Sequence, residues 1–126
     1  MKNSYIEKWN YPSSEEDFAF IPGKEGLQEK YFTLWCSKNC LEIQLELKNP
    51  NKKILLIGKH DATELPEEAS KLALSRADAL KKRLCSEIKF CDKLEVTAES
   101  DEDLVLGKDK FDPANRVIRF KILNLN

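Results

Sequence analysis

The sequence predicts an α+β fold, and three stretches of the chain support this prediction. Residues 54–57 are four consecutive apolar residues, which indicates a strand that is covered on both faces. Residues 65–84 repeat apolar side chains at the spacing of one helix face, with charged residues opposite. Residues 117–123 place Ile118, Phe120 and Ile122 at every second position, which is typical of a strand with one face in water.

Length and charge limit the class of protein. The 126 residues are enough for one domain with a real core and too few for two. Charged residues make up 34% of the chain, both signs are interspersed and the net charge is −1. Neither nucleic acid nor an anionic membrane surface is therefore expected as a partner. No apolar run has the length of a membrane-spanning helix, so no membrane insertion is predicted for this chain.

The N-terminal residues lack the apolar stretch of a secretory signal. Two interpretations follow: a cytoplasmic protein, or an envelope protein whose signal or anchor lies upstream of this sequence. Residues 1–16 are predicted to be an N-terminal extension, and residues 17–126 the domain itself. The apolar residues of the extension are enough to dock on the domain but too few to fold alone. They are Tyr5, Ile6, Trp9 and Tyr11.

The stretch from residue 26 to residue 48 fits two patterns. Its apolar residues roughly follow a helical stripe made of Leu27, Tyr31, Leu34, Trp35, Leu41 and Leu45. Residues 41–47, however, alternate leucine or isoleucine with glutamate or glutamine, as a half-buried strand does. Taken alone, this local pattern favours a strand at 41–47. A short strand is also predicted at 18–21, where Pro22-Gly23 ends it.

The corner between the apolar strand and the long helix is the strongest candidate site. The strand ends at Gly58, His60-Asp61 follow, and Thr63 is a suitable N-cap for the helix. The first turn of a helix offers free N–H groups that bind anions. Arg76 falls in the middle of the apolar arc of this helix, and a guanidinium is almost never buried without a partner. The sequence therefore predicts that Asp61 or an anionic ligand meets Arg76.

The four cysteines form no metal-binding or catalytic pattern. With one histidine and no CxxC pair in the chain, no metal site and no cofactor are predicted. Cys36 and Cys40 are spaced to share a helix face, and all four cysteines are interpreted as small apolar side chains in or near the core. Residues 99–112 are acidic but lack the glycine and the final glutamate of a calcium-binding loop.

A string of motifs runs along the chain. It consists of Asn49-Pro50, the apolar run to Gly58, His60-Asp61, Leu72 with Arg76-Ala77, and Asn115-Arg116-Val117. Over about residues 18–123 the chain resembles the C-terminal OmpA-like domain, the peptidoglycan-associated family of outer-membrane proteins, lipoproteins and flagellar stator proteins. The resemblance implies a βαβαββ two-layer sandwich, a mixed sheet with both helices on one face. It also places residues 27–47 in a helix, against the local alternation at 41–47.

The resemblance implies noncovalent binding of peptidoglycan through the diaminopimelate of its stem peptide. In the family, an aspartate and an arginine at this spacing bind the ligand, which assigns those roles to Asp61 and Arg76. Further candidates for ligand contact are His60, Ala62, Thr63, Asn115 and Arg116. The chain would then anchor an envelope protein or complex to the cell wall, in the periplasm. Such binding needs no nucleophile and no acid–base pair, so the expected function is a binding module and not an enzyme.

Five positions depart from the family pattern, and they leave a second hypothesis open. The departures are His60, Glu64, Ala69, Ala73 and Val117, which replace residues that usually line or brace the pocket. Asp61 and Arg76 would then form an internal ion pair that ties the helix to the sheet. The alternative function is a degenerate OmpA-like domain that acts as a protein–protein scaffold in a secretion or envelope machine, without binding peptidoglycan.

Overall fold

The computed structural model describes residues 4–13, 19–20, 26–58, 66–98 and 117–125, and it leaves out the side chains of residues 66–70 and 72. Short 3-10 turns cover Glu7–Trp9 and Cys91–Lys93. No helix in the described residues is both long enough and apolar enough to cross a membrane. The strands and helices, in chain order, are β1 (Ser4–Tyr5), β2 (Tyr11–Pro12), α1 (Glu29–Leu47), β3 (Lys52–Gly58), α2 (Pro66–Cys85), β4 (Leu94–Ala98) and β5 (Val117–Asn124).

The described strands form one mixed sheet with β5 near its centre. The strand order is β1-β5-β3-β4, and β2 also pairs with β5. Strand β3 runs parallel to β4 and antiparallel to β5, while β1 and β2 are antiparallel to β5. The parallel pair is connected through α2, as a crossover connection requires. This arrangement confirms the predicted α+β fold with a mixed sheet. From α1 onwards the order αβαββ is the predicted one, but two short strands, β1 and β2, precede α1, and of the strand predicted at 18–21 the described residues show an isolated bridge between Phe20 and Leu27.

The core lies between one face of the sheet and both helices. Alternate residues of a strand point to the same face, and most of the buried strand residues lie on the face that the helices cover. The buried side chains on that face are Ile54, Leu56, Leu94, Ile118, Phe120 and Ile122, and those from the helices are Phe32, Trp35, Ile43, Leu47, Leu80 and Leu84. Both helices therefore cover the same face, as the family resemblance implies.

Residues 41–47 are helical, so the strand favoured by the local alternation is wrong. In α1, Ile43 and Leu47 lie one turn apart and are fully buried, whereas Leu41 and Leu45 are 68% and 57% exposed. The alternating apolar residues therefore belong to two different faces of one helix. The helix end is also bound from outside, because Nζ of Lys93 donates to the carbonyl of Leu47 at 2.6 Å. Packing and this capping contact outweigh the local pattern.

The N-terminal segment adds strands to the sheet and aromatic side chains to the core. Trp9 and Tyr11 are buried, and the Tyr11 ring meets the Trp35 ring edge-on at 5.3 Å between centroids. The Tyr11 hydroxyl donates to the carbonyl of Ala19, and Nε1 of Trp35 donates to the carbonyl of Trp9. The expected docking of this segment therefore includes backbone pairing with β5. The domain boundary after residue 16 stays a prediction.

Two of the cysteines form a disulfide, which corrects their interpretation as separate apolar side chains. Cys36 and Cys40 are one helical turn apart in α1, and their sulfurs are joined at 2.03 Å. Cys85 and Cys91 are free thiols, both half-buried. Burial, together with the neighbouring Cys91 thiol, raises the pKa of Cys85 to about 11. The sequence could not distinguish a bonded pair from an unbonded one, because the spacing fits both.

Candidate functional site

Arg76 is buried on the inner side of α2, and its guanidinium has partners in the N-terminal part of the chain. The side chain is 5% exposed. Nη1 donates to the backbone carbonyl of Ser13 at 2.6 Å. The guanidinium carbon lies 5.5 Å from the centre of the Phe20 ring, within the range of a cation–π contact. Arg76 therefore faces away from solvent, as its place on the helical wheel predicted. The Ser13 carbonyl is a neutral partner, and the predicted anionic partner stays a prediction.

The pattern of α2 explains why an arginine is tolerated in this position. Ala73, Ala77 and Leu80 share the buried face with Arg76 and are at most 1% exposed. Alanines one turn before and one residue after Arg76 leave room for the long side chain against the helix. Because a buried guanidinium is stabilised by hydrogen bonds to carbonyl oxygens, the contact with Ser13 offsets part of the desolvation cost.

The end of β3 approaches α2 closely, one helical turn before Arg76. A Cβ atom on Gly58 would lie 2.4 Å from the backbone oxygen of Ala73 and 2.8 Å from its carbonyl carbon. Real Cβ contacts are not this short, so only glycine allows this approach. The chain therefore leaves the sheet at a point in direct contact with the turn of α2 that leads to Arg76.

The other predicted site residues lie outside the described residues. They are His60, Asp61, Ala62, Thr63, Asn115 and Arg116. The described part of α2 begins at Pro66, three residues after the predicted N-cap. The pairing of Asp61 with Arg76 therefore stays a prediction.

Two partners of Arg76 were missed by sequence reasoning, for different reasons. Ser13 takes part through its backbone carbonyl, and a main-chain acceptor has no signature in a sequence. Phe20 was predicted only as a strand residue; in the structure it forms an isolated bridge with Leu27. Aromatic residues are common cation–π partners of buried arginines, but nothing in the sequence singles out Phe20 among the aromatic residues of the chain.

A second buried arginine lies on the opposite face of the sheet. Arg119 in β5 is 4% exposed, although the alternation of β5 predicted a face in water. Its Nη2 donates to Oε1 of Glu7 at 2.5 Å, and its guanidinium carbon lies 3.9 Å from the centre of the Tyr5 ring. The N-terminal segment therefore covers part of the outer face as well as the site of Arg76.

The fold is shared with OmpA-like domains of known structure. The structure is similar to the peptidoglycan-associated lipoprotein from Burkholderia pseudomallei, with a TM-score of 0.52 and 21% identity, over 84% of this chain and 86% of that one. It is also similar to the periplasmic domain of MotB from Helicobacter pylori, with a TM-score of 0.62 and 19% identity, over 96% and 81% of the two chains. No family model and no curated protein sequence matches this chain.

A further similar structure is the OmpA-like domain of FopA1 from Francisella tularensis subsp. tularensis SCHU S4. The TM-score is 0.53 and the identity is 17%, over 98% of this chain and 75% of that one. The motif string and the structural comparisons therefore agree on the fold. At these identities the likeness establishes the fold, and the function has to be argued from the site.

Proposed function

We propose that this chain is a noncovalent peptidoglycan-binding module. It recognises the diaminopimelate of the stem peptide through Asp61 and Arg76, and it anchors an envelope protein or complex to the cell wall from the periplasm. The observation that carries the proposal is the buried guanidinium of Arg76, held by Ser13 and Phe20 on the inner side of α2.

The chemistry of the ligand matches this pair of residues. The free end of diaminopimelate is a zwitterion, with an ammonium group beside a carboxylate. A guanidinium binds a carboxylate through two parallel hydrogen bonds, and Arg76 supplies that group. Asp61 supplies the anion for the ammonium group. Binding of this kind needs no chemical step, so the role is recognition and not catalysis.

Chain length supports the assignment of Asp61. Asp61 follows Gly58 by three residues, which span at most about 11 Å. Gly58 itself contacts Ala73, one turn before Arg76. A carboxylate on a tether of this length is within reach of the guanidinium, directly or across a small zwitterion.

Binding to purified sacculi tests the proposal. The protein is pelleted with sacculi that contain diaminopimelate, and it is titrated by NMR with a stem tripeptide that ends in diaminopimelate. Saturable binding is expected, and Asp61→Asn and Arg76→Ala should each weaken it about tenfold or more, because each leaves one charge of the ligand without a partner.

Arg83→Ala is the matched control. Arg83 lies two turns further along α2 and donates hydrogen bonds to Glu29 and Glu87. Its guanidinium carbon lies 4.5 Å from the centre of the Phe32 ring. The Arg83→Ala variant should bind sacculi as the wild type does.

Because Arg76 is buried, circular dichroism must show that the Arg76→Ala variant is folded. Asp61→Asn gives a second variant that leaves Arg76 in place. A wild-type protein that stays in the supernatant, with no tripeptide-induced shifts at Ser13, Phe20 or Arg76, would contradict the proposal.

The second candidate function is a protein–protein scaffold of the same fold, without peptidoglycan binding. One observation favours it: Nη1 of Arg76 already donates to a carbonyl of its own chain. In this case the Ser13 contact would persist in the presence of excess tripeptide. Unchanged amide shifts at Ser13 together with no pelleting would therefore favour the scaffold over the binding module.

A further inference from the structure

The outer face of α1 carries a narrow stripe of exposed leucines. Leu34, Leu41 and Leu45 are 66%, 68% and 57% exposed. In a helical projection at about 100° per residue, the three side chains lie within about 40° of one another around the helix axis. Along the axis they extend over about 16 Å. We call these three residues the leucine stripe. Its opposite face, with Trp35, Ile43 and Leu47, is buried in the core, so α1 is apolar on two sides.

Lysines border the leucine stripe, and their charges are not neutralised within the described part of the chain. Lys30, Lys38 and Lys48 are exposed and lie about 40° from the centre of the stripe, on both sides of it. No ion pair of these lysines occurs among the described residues.

The acidic residues of α1, in contrast, are all bound inside the chain. Glu29 binds Arg83 at 3.0 Å, Glu42 binds Lys8 at 2.5 Å, and Glu46 binds Lys52 at 2.9 Å. Glu42 also accepts a hydrogen bond from Nε1 of Trp9. Among the described residues, the face therefore presents leucines that are bordered by three lysines without an ion pair.

We propose that the leucine stripe of α1 is the docking surface for an amphipathic helix of another protein, whose apolar seam is bordered by aspartate or glutamate. Leucines of such a helix would pack between the leucines of the stripe, and its carboxylates would meet the lysines at 30, 38 and 48. The groove beside Leu34, formed by Lys8, Tyr31, Trp35 and Lys38, offers one hole for a partner side chain. This surface is separate from Arg76, so its function does not depend on peptidoglycan binding.

Two other occupants fit the surface less well. In a second copy packed antiparallel on the stripe, Lys30 of one chain would lie close to Lys48 of the other at both ends, which is repulsive. A bilayer surface usually binds a helix through a wide apolar face with aromatic residues. The exposed face of α1 is narrow by comparison and includes Thr33, Ser37 and Glu42.

A designed peptide serves as the probe. It has about three heptads, with leucine at positions a and d and glutamate at e and g, and a second peptide has lysine at e and g. Binding to the full chain is measured by fluorescence anisotropy. The glutamate peptide should bind saturably and about tenfold or more tighter than the lysine peptide. The double variant Leu41→Ser/Leu45→Ser should weaken binding about tenfold or more, since it removes two apolar contacts.

Leu74→Ser is the matched control, because Leu74 is an exposed leucine on α2, at 39% exposure. Its binding should equal that of the wild type, and both variants should unfold at nearly the wild-type temperature. The proposal would be overturned if both peptides bound equally well, or if Leu74→Ser weakened binding as much as the double variant does. It would also be overturned if sedimentation showed a dimer of this chain that the double variant dissociates. Binding to phosphatidylglycerol vesicles that requires the leucine stripe, without binding of the peptide, would overturn it as well.

Discussion

Tyr11 shows how one hydroxyl ties the N-terminal segment to the core. Its ring is fully buried among Phe20, Tyr31 and Trp35, and its hydroxyl donates to the carbonyl of Ala19 at 3.1 Å. Burial, with smaller contributions from Tyr31 and Glu29, raises the pKa of Tyr11 well above its usual value. The folded state therefore favours the protonated hydroxyl, which is stabilising below the unfolded pKa of about 10 and is lost as pH rises further.

Tyr11→Phe tests this link between a single hydroxyl and stability. Near neutral pH the variant should lose about 1 kcal/mol of unfolding free energy, because the carbonyl of Ala19 loses one of its two donors and keeps only the N–H of Gln28. Above about pH 10 the wild type should lose stability more steeply than the variant, since only the wild type must ionise this phenol on unfolding. Urea unfolding across alkaline pH measures both effects. Tyr5→Phe, at a half-buried tyrosine in β1, is the control. If both variants showed the same dependence of unfolding free energy on pH, the effect could not be assigned to the Tyr11 hydroxyl.

At the residue scale, the sequence predicted that Arg76 faces inward, whereas its role in a ligand site stays a prediction. The wheel of α2 identified Arg76 as inward-facing, because a charged side chain among alanines and leucines stands out in any helical projection. The acceptor at Ser13 was beyond prediction, since it is a main-chain atom 63 positions away whose approach depends on tertiary packing.

At the scale of single elements, Lys93 determines how α1 ends. The last carbonyls of a helix have no partner within the helix. Nζ of Lys93 donates to the carbonyls of Leu47 and Asn49 at 2.6 and 2.5 Å, and it brings a positive charge to the negative end of the helix dipole. The connection also joins α1 to the turn that precedes β4.

Lys93→Met should lower the free energy of unfolding by about 2 kcal/mol, because two carbonyls lose a charged donor while the apolar stem is kept. Urea denaturation with a far-ultraviolet readout measures this loss. Lys82→Met on α2 is the control: its ammonium forms an exposed ion pair with Asp78, so less than about 0.5 kcal/mol is expected. Equal losses in the two variants would show that Nζ of Lys93 does not cap the helix.

The elements differ in how well the sequence predicted them. Strand β5 and helix α2 were predicted within one or two residues of their observed bounds, because each has a buried face with a clear period. The local pattern of α1 was ambiguous and favoured a strand at 41–47, since the helix is apolar on two faces. The family resemblance decided for a helix there. The two-residue strands β1 and β2 are too short to produce any period.

At the scale of the whole molecule, the N-terminal segment is a structural part of the fold. Trp9 is 3% exposed, meets Phe120 of β5 edge-on at 6.1 Å, and accepts a hydrogen bond from Trp35 on its carbonyl. A truncation of residues 1–16 would therefore remove core side chains together with any binding surface. Point substitutions are the better way to test what this segment binds.

Trp9→Ala should destabilise the whole domain by about 3–5 kcal/mol, the usual cost of deleting a buried tryptophan. The loss should appear as one cooperative shift of the urea midpoint in both fluorescence and circular dichroism, because the segment and the sheet share a core. Leu125→Ala, at a side chain that is 52% exposed, should change stability by less than about 0.5 kcal/mol. Separate transitions for the two signals would indicate that the segment unfolds independently.

The central position of β5 also has a consequence for biosynthesis. Ser4 pairs with Ile122, and β1, β2 and β3 all hydrogen-bond to β5. During translation β1, β2 and β3 leave the ribosome before β5, the strand with which each of them pairs. The sheet therefore forms only once β5 has been synthesised, and contacts of such long sequence separation fold slowly. Until then the edge of β3 is exposed to chaperones and to aggregation.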